Sequence, residues 1–404
     1  MTNDPVERIL SQLDRPVEPR TEFREELLRR LVAELTPGSA RSGAIRAAEK
    51  RPPKLPARDV LLAAATVVLA LGLGIFIYNL RHVTPITPAP AIPSPAPTGQ
   101  VAPPTLHLAA NSKVASKLGS VGLSNGLVWL TGCQAESVSI CDQGGGTSIV
   151  ARVDATTDRV VGKVPGGFSG LAADDSAVWV TDEVAGTLTR YDPRTARVVA
   201  TISIGKGGHG VAIGEGGVWV ADFGAGPTIT RVDPQTNRVS AEISVPNALV
   251  QRVAVGHGSV WAPSGDGRLF RIDPITNRVT RTITIPPDAL DVAVGEGAVW
   301  VDINPQLAGG TGQGSVVRVD PTTNRVVATI RVGHSPNGIA AGAGAVFVVN
   351  QDDGTLTEID PRSNSVVGKP LAVGNGPAGI AAGTTALWVA NNRDGNVVRV
   401  NFSR

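Results

Sequence analysis

The 404-residue chain is poor in the side chains from which catalytic and metal centres are built. It holds two cysteines, five histidines, two tyrosines and one methionine, and aromatic residues make up only 4% of it. Residues 1–58 contain neither histidine nor cysteine, which removes the donors that tetrahedral zinc requires. Cys133 and Cys141 are too far apart in sequence to form a vicinal pair. The formal net charge is +2, so there is no global electrostatic case for nucleic acid, and no nucleic-acid partner is expected. No catalytic set, metal-ligand cluster or cofactor motif stands out.

The few aromatics are placed with regularity. Trp129, Trp179, Trp219, Trp261, Trp300 and Trp388 are all six tryptophans of the chain. With Phe347 they recur about every 39–50 residues, the spacing of propeller blades rather than of helical repeats. Seven positions before each aromatic stands a small residue: Gly122, Ala172, Ala212, Ala254, Ala293, Ala340 and Ala381. After each Val-Trp-Val-like segment come two more alternating, β-branched segments, joined in most units by an Asp-Pro turn such as Asp233-Pro234-Gln235-Thr236-Asn237. The pattern predicts an all-β, seven-bladed propeller of four-stranded blades over 105–404. The last unit runs out one strand short, and Thr105–Leu108 matches the missing fourth strand, so the N-terminal strand is expected to close the ring.

The unit, with its (Val/Ile)-Asp-Pro-x-Thr-Asn-Arg-Val turn and the Gly-Ile-Ala opening of the next blade, resembles the YVTN/YncE-type propeller repeat. A related family is the streptogramin (virginiamycin B) lyases, in which histidines and glutamates at one mouth act with a magnesium ion. That resemblance implies metal-assisted lyase chemistry as an alternative to binding. The propeller's own histidines are His107, His209, His257 and His334. By register, His257 belongs to the face opposite His209 and His334, and His107 to an outer strand, so the lyase arrangement is not recognisable.

Variable loops on a rigid scaffold are where binding residues concentrate. Insertions at 131–147 and 302–315 fall on the side of the second-to-third-strand loops, whereas the other side carries only tight turns. At the start of the inner strand most blades have Gly or Ser, but blades 4 and 5 have Arg252 and Asp291. An ion pair plugging the channel and a polar contact site for a ligand are both open readings of this pair. Candidate ligand-binding residues are therefore His209, Arg252, Asp291, His334, Asp182, Asp222, Asn350 and Asn391. For the last four, turn capping is the competing explanation. Cys133 and Cys141 share one long loop, and a disulfide between them is expected in an oxidising compartment.

Ahead of the propeller, Val60 to Tyr78 carries no charge. As a helix it spans about 28 Å, close to the hydrocarbon thickness of a bilayer. Basic residues crowd its N-terminal side between Arg41 and Arg58, which predicts a cytoplasmic N-terminus and an extracellular propeller. The expected layout is a cytoplasmic helical region at 1–58, partly disordered, then a single membrane-spanning helix at 59–80. A proline-rich linker at 81–104 precedes the propeller. The layout resembles that of membrane-bound anti-sigma factors, but without zinc ligands that function is not carried over. The expected partners are the membrane, an extracytoplasmic ligand or protein, and a cytoplasmic protein at 1–58. The whole reads as a membrane-anchored binding receptor or scaffold rather than an enzyme.

Overall fold

Seven antiparallel sheets of four strands each follow one another along the chain. The computed structural model describes residues 105–142, 145–223, 228–245 and 248–403. The regions read as cytoplasmic helix, membrane span and linker lie outside the described residues. Among the described residues, no helix is long and apolar enough to cross a membrane. The blades run over 117–165, 171–203, 208–244, 254–284, 289–331, 336–372 and 377–403. The seventh takes its outermost strand from Thr105–Lys113, which pairs antiparallel with Asn396–Ser403. This strand is longer than the segment anticipated from sequence, because a bulge between Leu108 and Ala110 lets pairing continue to Lys113. Its Thr105 end pairs with Ser403 and its Lys113 end with Asn396. The chain therefore enters the ring on the side of the tight turns.

The small residue preceding each aromatic by seven is its direct cross-strand partner, as in Ala212↔Trp219, Ala254↔Trp261 and Ala340↔Phe347. Such partners share one face of the sheet, so a bulky side chain there would collide with the ring. The neighbouring blade crowds the same spot. A Cβ on Gly122 would come within 2.5 Å of Leu171 Cδ2 in blade 2. Each aromatic is buried and packs into the following blade: Trp219 against Val260, Ala262 and Ile272 of blade 4, and Trp388 against Val128, Leu130 and Val153 of blade 1. Truncating such a wedge to alanine costs a few kcal/mol. Among the described residues, the seven sheets and their cores lie within 105–403.

A second repeating device fastens the ring. Opposite each tryptophan on the third strand stands an arginine, Arg231 facing Trp219 and Arg318 facing Trp300 among them. The guanidinium of Arg231 lies 4.9 Å from the Trp219 ring centre. Its Nη1 donates to Pro274 O at 2.6 Å and Asn277 Oδ1 at 2.9 Å, both in the Asp-Pro turn of the next blade. Arg190, Arg271 and Arg318 repeat the arrangement onto the turns of their own successors. Proline and asparagine in the turn thus supply the acceptors of an inter-blade clasp as well as the turn geometry.

Blade 6 is the exception, with Glu358 opposite Phe347. The reason lies in the next blade. Blade 7 takes its fourth strand from the N-terminal side of the propeller, so it has no third-to-fourth-strand turn for an arginine to clasp. Glu358 is only 5% exposed, and its Oε1 has no hydrogen-bond partner. Burial, and secondarily the charge of Asp360, raises its pKa to about 7.

Candidate functional site

The starts of the inner strands converge on the axis and line a cavity of about 120 Å³, among them Ser120, Gly170, Gly210, Arg252, Asp291 and Gly379. Glycine is required at some of these positions by close approach between blades. A Cβ on Gly170 would lie 2.0 Å from His209 O, and one on Gly210 would lie 2.7 Å from Arg252 Cα. Blades 4 and 5 depart from the Gly-or-Ser pattern and place charge in the channel.

Arg252 and Asp291 do not form an ion pair. The arginine side chain runs over Gly210, and its Nη1 donates to His209 Nδ1 in blade 3. Asp291 turns the other way: its Oδ1 accepts from Val292 N–H at 2.8 Å, and Ile339 N–H of blade 6 also supports the carboxylate. The channel plug anticipated as one reading of the sequence is therefore absent, because each charge is held by a different neighbour. Burial raises the pKa of Asp291, and the nearby Arg252 opposes the shift.

His209 is neutral. Burial, reinforced by the Arg252 guanidinium, lowers its pKa from 6.5 to about 3. Since arginine can only donate, Nδ1 is the acceptor and the proton of the neutral ring sits on Nε2. That nitrogen is 3.9 Å from Glu183 Oε2, beyond hydrogen-bond distance. The backbone of His209 is fixed as well, its carbonyl accepting from Thr181 Oγ1 at 2.7 Å.

Asp302 is a residue that the sequence reading did not single out. It is fully buried in the second strand of blade 5, two positions after Trp300. One oxygen accepts from Asp291 N–H at 2.6 Å and the other from Gly338 N–H of blade 6 at 3.2 Å. Burial, and then the neighbouring Asp291 charge, drives its pKa well above the ordinary value. Thr181 occupies the same register position in blade 2, where it accepts from Gly170 N–H and donates to the next blade. Blade 5 thus does with a carboxylate what blade 2 does with a hydroxyl. The sequence signal was available: at two positions after the aromatic, the blades have Thr131, Thr181, Ala221, Pro263, Asp302, Val349 and Ala390, and only one is ionisable. The strand continues to Ile303, so Asp302 belongs to the sheet rather than to the insertion that follows it.

The remaining candidates are not part of this cavity. His334 pairs its Nδ1 with Asp353 Oδ1 at 3.0 Å, and His209 has no partner in common with it. Asp182 caps its own loop, accepting from Val184 and Ala185 N–H. Asp222 ends the second strand of blade 3. Asn350 and Asn391 have no exposed surface. Asn350 Nδ2 donates to Thr355 and Thr357, and Asn391 Nδ2 to Val373 O and Asn396. His257 sits in a tight hairpin turn at φ 52°, and His107 is exposed on the closing strand. The loop at 131–147 is shorter than anticipated, since the strand runs on to Gln134 and a short helix spans Val138–Asp142. Cys133 and Cys141 are disulfide-bonded there, with a Cα–Cα distance of 6.0 Å.

A family model described as "Repeat of unknown function (DUF6923)" matches residues 205–327. No protein with a curated description matches the chain. Among solved structures, virginiamycin B lyase from Staphylococcus aureus superposes with a TM-score of 0.59 at 14% identity, over 74% of this chain and 99% of that one. A catalytically inactive form of that lyase with quinupristin gives 0.58 at 15% identity, again over 74% and 99%. Hydrazine synthase of Kuenenia stuttgartiensis gives 0.59 at 14% identity, over 72% of this chain and 97% of that one. At these identities the likeness is one of fold, a propeller, which commonly serves as a binding scaffold.

Proposed function

We propose that the chain is a membrane-tethered receptor whose propeller binds an extracytoplasmic ligand at the channel mouth on the variable-loop face. The observation that carries this reading is the pair of opposite charges, Arg252 and Asp291, held apart around one cavity. Left to local energetics, neighbouring opposite charges in a partly buried site would pair, because each has lost part of its hydration. Here the surrounding blades hold them open, a geometry suited to a third molecule supplying the missing partners. The uncharged segment at 60–78, the basic cluster before it and entry of the chain on the tight-turn side support the tether. On that reading the variable-loop face points away from the bilayer. Large apolar side chains exposed on the same face, Val184, Phe223, Leu249 and Leu307, offer further contact surface beside the mouth.

The test is to purify the full chain from membranes, denature it and identify released small molecules by mass spectrometry, alongside the double variant Arg252→Gln/Asp291→Asn. The reading predicts a molecule recovered from the wild type and lost from the variant. Equal recovery from both proteins, or thermal stabilisation by cell-envelope extract that is equal in both, would remove the mouth as the binding site.

A further inference from the structure

Resting on the receptor reading, we infer that the mouth takes a small zwitterion of the α-amino acid class, its carboxylate on Arg252 and its ammonium on Asp291. Three features of the cavity converge on this class. The first is charge. Arg252 spends Nη1 on His209, and among the described residues no carboxylate reaches its guanidinium. Its remaining donors form a fork suited to a carboxylate. His209 is neutral, so it does not compete for the anion.

The second feature is the buried carboxyl on the neighbouring blade. Asp291 faces the cavity, and behind it Asp302 is saturated by two backbone N–H groups and shut off from solvent. Asp291 is held by backbone N–H groups and, among the described residues, has no cation within ion-pair distance, which leaves room for one beside it. A ligand ammonium beside Asp291 supplies it, and an anion alone does not. Asp302 acts through Asp291: it accepts from the Asp291 backbone N–H and is itself sealed from the ligand.

The third feature is size. On the measure by which one water needs roughly 10–15 Å³, a cavity of about 120 Å³ holds on the order of eight waters. That admits a molecule of about six to ten non-hydrogen atoms. The rest of the lining is Ser120, Gly170, Gly210 and Gly379 with aliphatic residues such as Val121 and Val211, which leave room but offer no large apolar pocket. A short side chain suits them better than an aromatic one.

The experiment is calorimetric titration of the purified full chain with L-alanine, acetate and methylammonium in turn. The wild type is expected to bind alanine at least tenfold more tightly than either single-charge probe. Arg252→Gln is expected to weaken alanine at least tenfold while leaving methylammonium unchanged. Asp291→Asn, which keeps the acceptor for Val292 N–H, is expected to weaken alanine equally while leaving acetate unchanged. Alanine binding no tighter than acetate or methylammonium overturns the inference, and this comparison needs no variant to fold. Undiminished alanine binding by the folded variants overturns it too. If alanine fails but a co-purified molecule is lost from the double variant, the zwitterion class is wrong while the receptor reading stands.

Discussion

Replacing Arg231 by methionine separates a clasp from mere surface charge. The substitution keeps a flexible stem over Trp219 but removes donors to Pro274 O at 2.6 Å, Asn277 Oδ1 at 2.9 Å and Gly216 O at 2.9 Å. Hydrogen bonds from a charged donor contribute about 1.5–3 kcal/mol when shielded, and the stacked guanidinium adds roughly 0.5–1 kcal/mol. Arg231 is half-buried, and Gly216 lies at the surface, so we expect a total nearer 2–4 kcal/mol. For a domain of this size that lowers Tm by about 4–8 °C, taking about 2 °C per kcal/mol. The control is Glu358→Met, at the same register position in blade 6, where there is no turn to clasp. Removing a buried, unpartnered carboxyl oxygen is expected to leave Tm unchanged or raise it at pH 8. Thermal unfolding by circular dichroism reads both variants. A fall of equal size in both, or no change for Arg231→Met, refutes the clasp as the reason arginine recurs.

The pH dependence of stability supplies a second check. Because the Glu358 pKa is raised from 4.5 to about 7 in the folded state, its stabilising contribution is complete below about 4.5 and is lost as pH rises through 7. The Tm difference between Glu358→Gln and wild type should therefore grow from pH 5 to pH 8, and a flat difference contradicts the assignment. His209 works in the opposite direction. With its pKa lowered from 6.5 to about 3, its contribution is present above 6.5 and lost as pH falls toward 3, so His209→Asn should blunt acid destabilisation over that window. Deleting Thr105–Lys113 should destabilise the propeller strongly, whereas trimming Pro85–Pro97 should not, and equal melting temperatures would remove the closure argument. On intact cells, an epitope at Gln306 should be more accessible to antibody than one at Thr236, and the reverse order would place the variable-loop face toward the bilayer.

The architecture was legible because every blade repeats the same solutions to the same steric problems. A small residue must face each aromatic, so Ala254 opposite Trp261 announces a strand pair without any structure. The closing strand was legible from an incomplete last unit, although its length was not, since the bulge after Leu108 leaves no mark in the local alternation. The Arg clasp was written into Arg231-Val232-Asp233 and its copies, but only the packing shows that Arg231 serves the next blade rather than its own turn. The site was half legible. Arg252 and Asp291 stood out as breaks in a glycine pattern, yet whether they paired depended on His209 and Ile339, which belong to other blades. Asn350 and Asn391 were drawn in by their polarity at a strand end, and the structure places them in the interior, where their amides bind the fold together.

The claim at the centre of this account is that Arg252 and Asp291 are held apart for a ligand. A high-resolution crystal structure of the full chain, purified without dialysis against competing solutes, tests it most directly. The account predicts density between the two side chains for a bound molecule that contacts both, with Arg252 still on His209. A direct Arg252–Asp291 ion pair closing an empty channel would contradict it.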